Sequence, residues 1–359
     1  MKWFWRIFFT LVLIAGWGFL GYQFVFFTLG SPKRTAPVEV ELPKNTTLKE
    51  IGAILQKKHL IRRSYFFRYY AAYKHKTNLQ AGVYEIEPDE TLDDMLAKFE
   101  LGEQNTVKVT IPEGWNVLQI ADALEKKGFD KKKFLYYLNN KKPKYEFEKE
   151  IPNNPARKYK LEGYLYPATY NFYKDETPEE IINEMLGEFA KHMEELQARD
   201  ILKSNPPMKG MTIDQWVTVA SMVEKEGKVK TELPTIAGVI YNRLNNNDPK
   251  DDHLGIDATF LYIQMLTGKK IPMYKLRKIP NPYNTYLNKG LPPGPIGCPG
   301  VRSLQAALNP QKHNYTYYVA RGDGTGLHYF ETNAAQHDRD IARSNANERK
   351  LKARSATAK

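Results

Sequence analysis

Hydrophobic and polar positions follow several distinct rhythms along this chain, and each predicts a different element. From Ile7 to Pro32 there is no charged residue, and Ile7–Leu29 is almost wholly apolar or aromatic. That run is long enough to cross a bilayer as a helix. It exceeds a usual signal-peptide core and no Ala-x-Ala site follows it, so the expectation is an uncleaved anchor. Residues 38–124 carry a three-fold pattern beginning at Val38, Gly82 and Val107. Each copy reads as a short alternating strand, a proline-led turn and the start of an amphipathic helix. Thr47 with Glu50, and more weakly Thr91 with Asp94, fit capping boxes. Further on, Ile213, Trp216, Val217, Ala220 and Val223 recur at helical spacing, and Gly227 predicts the stop. Near the end, Tyr315–Ala320 and Leu327–Phe330 flank Gly322-Asp323-Gly324-Thr325-Gly326, which reads as a hairpin turn and not a phosphate loop.

Composition narrows the classes. With 359 residues, 42% hydrophobic and 26% charged, the chain has room for two cored domains and is not disordered. The net charge of +12 suits an anionic partner: a membrane surface, a wall polymer or a nucleic acid. Lysines crowd residues 125–160, interleaved with Tyr136, Tyr137 and Tyr145. No nucleic-acid motif accompanies them, and a solvated helical face is the simpler reading. The single cysteine, Cys298, lies between Gly297 and Pro299 in a turn-rich loop, poor ground for a catalytic thiol. The seven histidines form no HExxH pair and there is no GxSxG elbow, so neither a metal site nor a serine nucleophile is expected. Asn345–Lys359 lacks apolar periodicity and is expected to fray.

The candidate chemistry lies at Glu224 and Glu226, in the last turn of the apolar helix. A carboxylate there faces the negative end of the helix dipole, and an apolar setting raises its pKa further. Such a glutamate can keep a proton near neutral pH and donate it to a leaving group. Two residues apart on a helix, the two side chains project about 200 degrees apart and cannot share one role. Periodicity does not decide between them.

Several ordered blocks extend this picture. They are Glu224-Lys225-Glu226, Tyr241-Asn242-Arg243-Leu244, Asp257 with Thr259, Tyr283-Asn284-Thr285-Tyr286, Gly290-Leu291-Pro292-Pro293-Gly294, and Thr332-Asn333 with His337. Leu161–Tyr170 adds a Glu-Gly-aromatic-x-aromatic-Pro-x-Thr block. Together they resemble the YceG-like family of membrane-bound endolytic murein transglycosylases, the MltG type, from the apolar segment to about Arg343. The resemblance implies an α+β protein in four parts. Residues 1–32 would be a cytoplasmic tail and transmembrane anchor, 33–108 a small LysM-like α+β module, 109–345 a mixed α/β catalytic domain, and 346–359 a tail. It places the protein in the cell (inner) membrane with the catalytic domain outside.

The implied activity is cleavage of the β-1,4 bond between N-acetylmuramic acid and N-acetylglucosamine in nascent strands, leaving 1,6-anhydro ends and terminating elongation. No metal or cofactor is needed. Expected partners are peptidoglycan strands, the cytoplasmic membrane and peptidoglycan synthases, with no nucleic acid. The family's essential acid aligns with Glu226. Asn242, Asp257, Asn284, Tyr286 and His328 become candidates for holding the glycan, with Glu224 (paired to Arg243 or Lys225), Arg243 and Glu162 as supporting residues. Two departures from the pattern, Gly227-Lys228 in place of a threonine and Ala258 in place of proline, leave a rival reading: a non-catalytic peptidoglycan-binding scaffold of the wall-synthesis machinery.

Overall fold

Strand β1 (Val38–Leu42) buries Val40 and Leu42 and exposes Glu39 and Glu41, the two-residue alternation of a half-buried strand. In this computed structural model, residues 34–43, 46–102, 106–246, 253–269 and 271–357 are described, with Pro32 and scattered positions between Trp3 and Gly21. The chain divides into two compact units, Met1–Val107 and Lys108–Lys359. In the first, β1 is followed by α1 (Leu48–Lys57), α2 (Phe67–Tyr73), β2 (Gly82–Ile86) and α3 (Leu92–Leu101). β1 and β2 pair antiparallel, with Val38 opposite Ile86 and Leu42 opposite Gly82. The inward faces of both strands meet Ile51, Leu55, Phe67, Met95, Leu96 and Phe99 in one core. Both expected capping boxes form: Thr47 with Glu50 starts α1 and Thr91 with Asp94 starts α3.

The third copy of the strand–turn–helix pattern yields β3 (Thr106–Thr110) and α4 (Val117–Glu125), the latter capped by Asn116 and Gln119. β3 pairs with β4 (Thr169–Tyr173). Between them lies α5 (Lys131–Asn140), within the lysine-rich stretch. Lys131 is bonded to Asp122 and to Glu125, and Lys141 is paired with Glu148 in a buried position, so part of this charge serves the fold. Helices α6 (Pro178–Glu195), α7 (Ala198–Ser204), α8 (Ile213–Glu226) and α9 (Leu233–Leu244) follow. After them come α10 (Ala258–Thr267), α11 (Met273–Leu276) and α12 (Val301–Leu308), then the hairpin β5 (Tyr317–Ala320) and β6 (His328–Glu331), and α13 (Ala334–Thr357).

Helix α8 is the axis of the second unit. Its apolar stripe is buried as expected, and so are Thr218, Val219, Ser221 and Met222, so the helix is enclosed on all sides. The buried hydroxyls are satisfied locally: Thr218 donates to the Asp214 carbonyl and Ser221 to the Thr218 carbonyl. α8 packs on α9 and α12, and the Trp216 indole donates to the Leu304 carbonyl at 3.0 Å. Beside its start, Arg157 and Asp214 form a buried ion pair at 2.7 Å, to which the Tyr164 hydroxyl also donates at 2.8 Å. Gly227 ends the helix in an extended conformation. A Cβ there would lie 2.2 Å from Leu233 Cδ2, so glycine at this stop gives room to the Leu233 side chain and is not there for left-handed geometry.

Three expectations are corrected. No helix among the described residues is long and apolar enough to cross a membrane, so the transmembrane helix over Ile7–Leu29 is not supported. Residues 22–31 and several earlier positions lie outside the described residues. With the transmembrane helix goes the placement as a single-pass inner-membrane protein with the catalytic domain outside. Second, the later unit is not a mixed α/β layer: helices surround two small two-stranded sheets, and the architecture is α+β. Third, the stretch after Asn345 continues α13 to Thr357. Helix α13 is held on the hairpin, with Asn347 Nδ2 donating to the Arg321 carbonyl at 2.8 Å and Arg343 lying 4.5 Å above the Tyr329 ring. These tertiary contacts supply what the missing apolar stripe does not.

Candidate active site

The two glutamates of α8 part as helix geometry requires. Glu224 turns to the start of α12, where its Oε2 accepts from the Gly300 amide at 3.1 Å and the Ser303 hydroxyl at 2.6 Å. Its other oxygen lies 3.6 Å from Lys230 Nζ. These partners, rather than Arg243 or Lys225, hold it. A carboxylate over the first amides of a helix is well placed against the positive end of the dipole, so Glu224 tethers α8 to α12.

Glu226 opens instead on a cleft of about 520 Å³ lined by Arg243, His253, Asp257, Arg277, Tyr286, Tyr317, Tyr318, His328 and His337, among others. Its Oε2 accepts from the Tyr318 hydroxyl at 3.1 Å, and its Oε1 faces the Ala258 amide at 3.4 Å. Burial pushes its carboxyl above the usual carboxylate range, and the negative charge of Asp257 adds to this. Tyr318, Ala258 and the nearby His328 pull the other way and are outweighed. Glu226 thus sits between the C-terminal end of α8, which disfavours its charge, and the first amide of α10, which favours it.

The expected glycan-binding residues divide between wall and frame. Asp257 and Tyr286 face the cleft together, the tyrosine hydroxyl donating to the carboxylate at 2.7 Å. Tyr286 stacks on Phe260 and carries the Arg277 guanidinium 5.0 Å above its ring. His328 lines the same cleft, buried, with its ring edge-on to Tyr318. Arg243 also reaches it, its Nε donating to the Thr316 carbonyl and its Nη1 to the Leu254 carbonyl, and its guanidinium lies 5.4 Å over the Tyr318 ring. Asn242 and Asn284 stand elsewhere. Asn242 Nδ2 donates to the carbonyls of His313 and Tyr315 at 2.8 Å, fixing the approach to β5. The fully buried Asn284 donates to the carbonyls of Ile279, Arg277 and Leu276 and so shapes the loop that carries Tyr286.

Glu162 is fully buried away from this cleft. It accepts from the first amide of α4, Val117, at 3.2 Å and from the Tyr262 hydroxyl at 3.2 Å. Burial raises its carboxyl to about 7 against those hydrogen bonds. Cys298 is likewise enclosed, and burial pushes its thiol up, the opposite of what a reactive thiolate needs.

Sequence reasoning passed over Tyr318, the direct partner of Glu226, and over Tyr317 and His253. Tyr318 lies in the expected hairpin, and its approach to α8 is a long-range contact that no local spacing reveals. The one available signal was a run of tyrosines, Tyr315, Tyr317 and Tyr318, leading into β5.

A glutamic acid whose carboxyl is raised by burial, in a cleft of aromatic rings, guanidinium groups and imidazoles, fits an acid–base site for a polar ligand. Comparison with known proteins makes the class specific: residues 40–343 match the YceG-like family, and the chain belongs to it. It is 32% identical over 361 residues to an endolytic murein transglycosylase of Streptococcus pneumoniae, covering 92% of this chain. The match spans 63% of that relative's length. It is 33% identical over 297 residues to the endolytic murein transglycosylase of Bacillus subtilis, covering 80% of this chain and 79% of the relative. Among solved structures, a crystal structure of a yceG-like protein from Listeria monocytogenes aligns with a TM-score of 0.55 at 34% identity, covering 85% of this chain and 99% of that one.

Proposed function

We propose that this chain is an endolytic murein transglycosylase in which Glu226 is the general acid and base. The observation that carries the reading is the raised carboxyl of Glu226 on the wall of the cleft, with donors on both oxygens. In the first half of the reaction Glu226 gives its proton to the glycosidic oxygen as the bond from that oxygen to C1 of the muramoyl sugar breaks. The carboxylate so formed is stabilised by the Tyr318 hydroxyl and the Ala258 amide. It then takes the proton of the sugar's own C6 hydroxyl as that oxygen bonds to C1, giving a 1,6-anhydro end and restoring the acid. No water is consumed.

An intramolecular nucleophile gains from proximity, which explains how one carboxyl suffices where hydrolytic glycosidases use two. Asp257, bonded to Tyr286, serves to raise Glu226 and to meet glycan hydroxyls. Arg243 and Arg277 give the cleft the positive charge that suits carboxylate-bearing muramoyl strands. The β-α-α-β order from β1 to β2, followed by α3, supports a LysM-like module for N-acetylated glycan over residues 33–108.

The test is incubation of the chain with purified sacculi and mass analysis of the released ends. Anhydro-muramoyl ends are expected with Glu226 intact and none with Glu226→Gln. A folded wild type that binds sacculi and never forms anhydro ends would favour a non-catalytic scaffold.

A further inference from the structure

Glu232, in the 3₁₀ turn Lys230–Glu232 just before α9, is a buried acid that the proposed chemistry does not use. Both its oxygens are turned on one residue. The His328 backbone amide donates to them at 3.1 and 3.2 Å, and His328 Nδ1 lies 2.9 Å from Oε2. Carboxylate oxygens accept hydrogen bonds, and a proton on Nδ1 completes this contact. The other nitrogen, Nε2, makes no hydrogen bond among the described residues, and the ring lines the cleft beside Tyr318.

We infer that Glu232 is a positioning residue: it locks His328 in the Nδ1-protonated tautomer, so that Nε2 meets the bound glycan as a hydrogen-bond acceptor. This rests on the glycan reading of the cleft. The ligand atom it selects is a donor, a sugar hydroxyl or an acetamido N–H, and not a carbonyl oxygen. Arg243 and Arg277 only donate and Asp257 already accepts from Tyr286, so His328 adds a second acceptor to the cleft for a hydroxyl-rich substrate. An imidazole fixed by a buried carboxylate also keeps its ring in one orientation at the side of Glu226, at little entropic cost on binding.

The experiment uses the full chain labelled with 15N-histidine, with His328→Asn for assignment, and reads the tautomer from the ring nitrogen shifts. It also measures the affinity of uncrosslinked glycan strands in a Glu226→Gln background, where no turnover interferes. Wild-type His328 is expected to carry its proton on Nδ1. In Glu232→Gln the side-chain amide can donate to Nδ1 and drive the proton to Nε2, and glycan affinity should fall about ten- to a hundred-fold. His328→Asn keeps a donor for Glu232 while deleting Nε2, and should lose a similar factor, which preserves the test if Glu232→Gln does not fold.

An Nε2-protonated wild type, or undiminished affinity in His328→Asn, would overturn the inference. If wild type binds glycan and shows the tautomer but never forms anhydro ends, the catalytic reading fails and the binding role of His328 stands.

Discussion

At the scale of single residues, the site turns on Glu226 and on what surrounds it. Glu226→Gln keeps the shape and most hydrogen bonds but cannot donate a proton as a carboxylic acid does, and loss of general acid–base catalysis costs about 100- to 10,000-fold in rate. Product formation should collapse while thermal stability holds or rises, because a half-buried carboxyl whose charge is disfavoured has been replaced by a neutral amide. Glu162 gives a separate pH signature. Its carboxyl is raised from 4.5 to about 7, so the folded state binds the proton more tightly than the unfolded chain. The sign follows: this stabilisation is fully present below about pH 4.5 and is lost as pH rises through about 7. The loss is on the order of 3 kcal/mol for a fully buried group. Glu162→Gln, whose amide can still accept from Val117, should flatten the denaturation midpoint between pH 5 and 8. A midpoint that falls as steeply in the variant as in wild type would refute the assignment. Glu224 and Glu226 were both legible as candidates at the end of an apolar helix, and the resemblance to the YceG-like family singled out Glu226. Its partner Tyr318 was not legible, since the contact spans ninety-two residues.

At the scale of elements, local rules carried far. The alternation of Val38–Leu42, the threonine capping boxes and the helical period of Ile213–Val223 all correspond to elements found in the structure. What local rules missed is enclosure. Val219 and Met222 read as off-stripe positions, yet α8 is buried around its whole circumference by α9, α12 and the loop near Ile296. The loop carrying Glu162 depends on Gly163, at φ +89, where a Cβ would lie 2.3 Å from Pro295 Cβ. Gly163→Ala combines backbone strain with overpacking and should destabilise by about 2–4 kcal/mol, read as a lowered urea midpoint. Glu224→Gln loosens the tether between α8 and α12 by about 1 kcal/mol while leaving measurable turnover, because Glu224 faces α12 and not the cleft. Complete loss of activity in a folded Glu224→Gln would assign it a larger role.

At the scale of the whole molecule, the repeating strand–turn–helix pattern runs from residue 38 to 124, whereas the division between the two units falls at Val107, inside β3. The third repeat therefore belongs with the second unit: β3 pairs with β4, whose sequence lies some sixty residues away and offers no cue to the pairing. The apolar segment shows the opposite case, a strong local pattern for which no spanning helix is found among the described residues. A version lacking residues 34–102 keeps β3 whole, should retain a cooperative unfolding transition of the second unit, and should bind sacculi less well. Unchanged binding would make the first unit a spacer.

The account as a whole stands on the chemistry of the ends that are made. Wild-type chain, incubated with uncrosslinked glycan strands and followed by mass spectrometry, should release fragments ending in 1,6-anhydro-muramoyl sugars, each lighter by one water than a hydrolysis product, and Glu226→Gln should release none. Free reducing ends from wild type, or anhydro ends at an undiminished rate from folded Glu226→Gln, would contradict it.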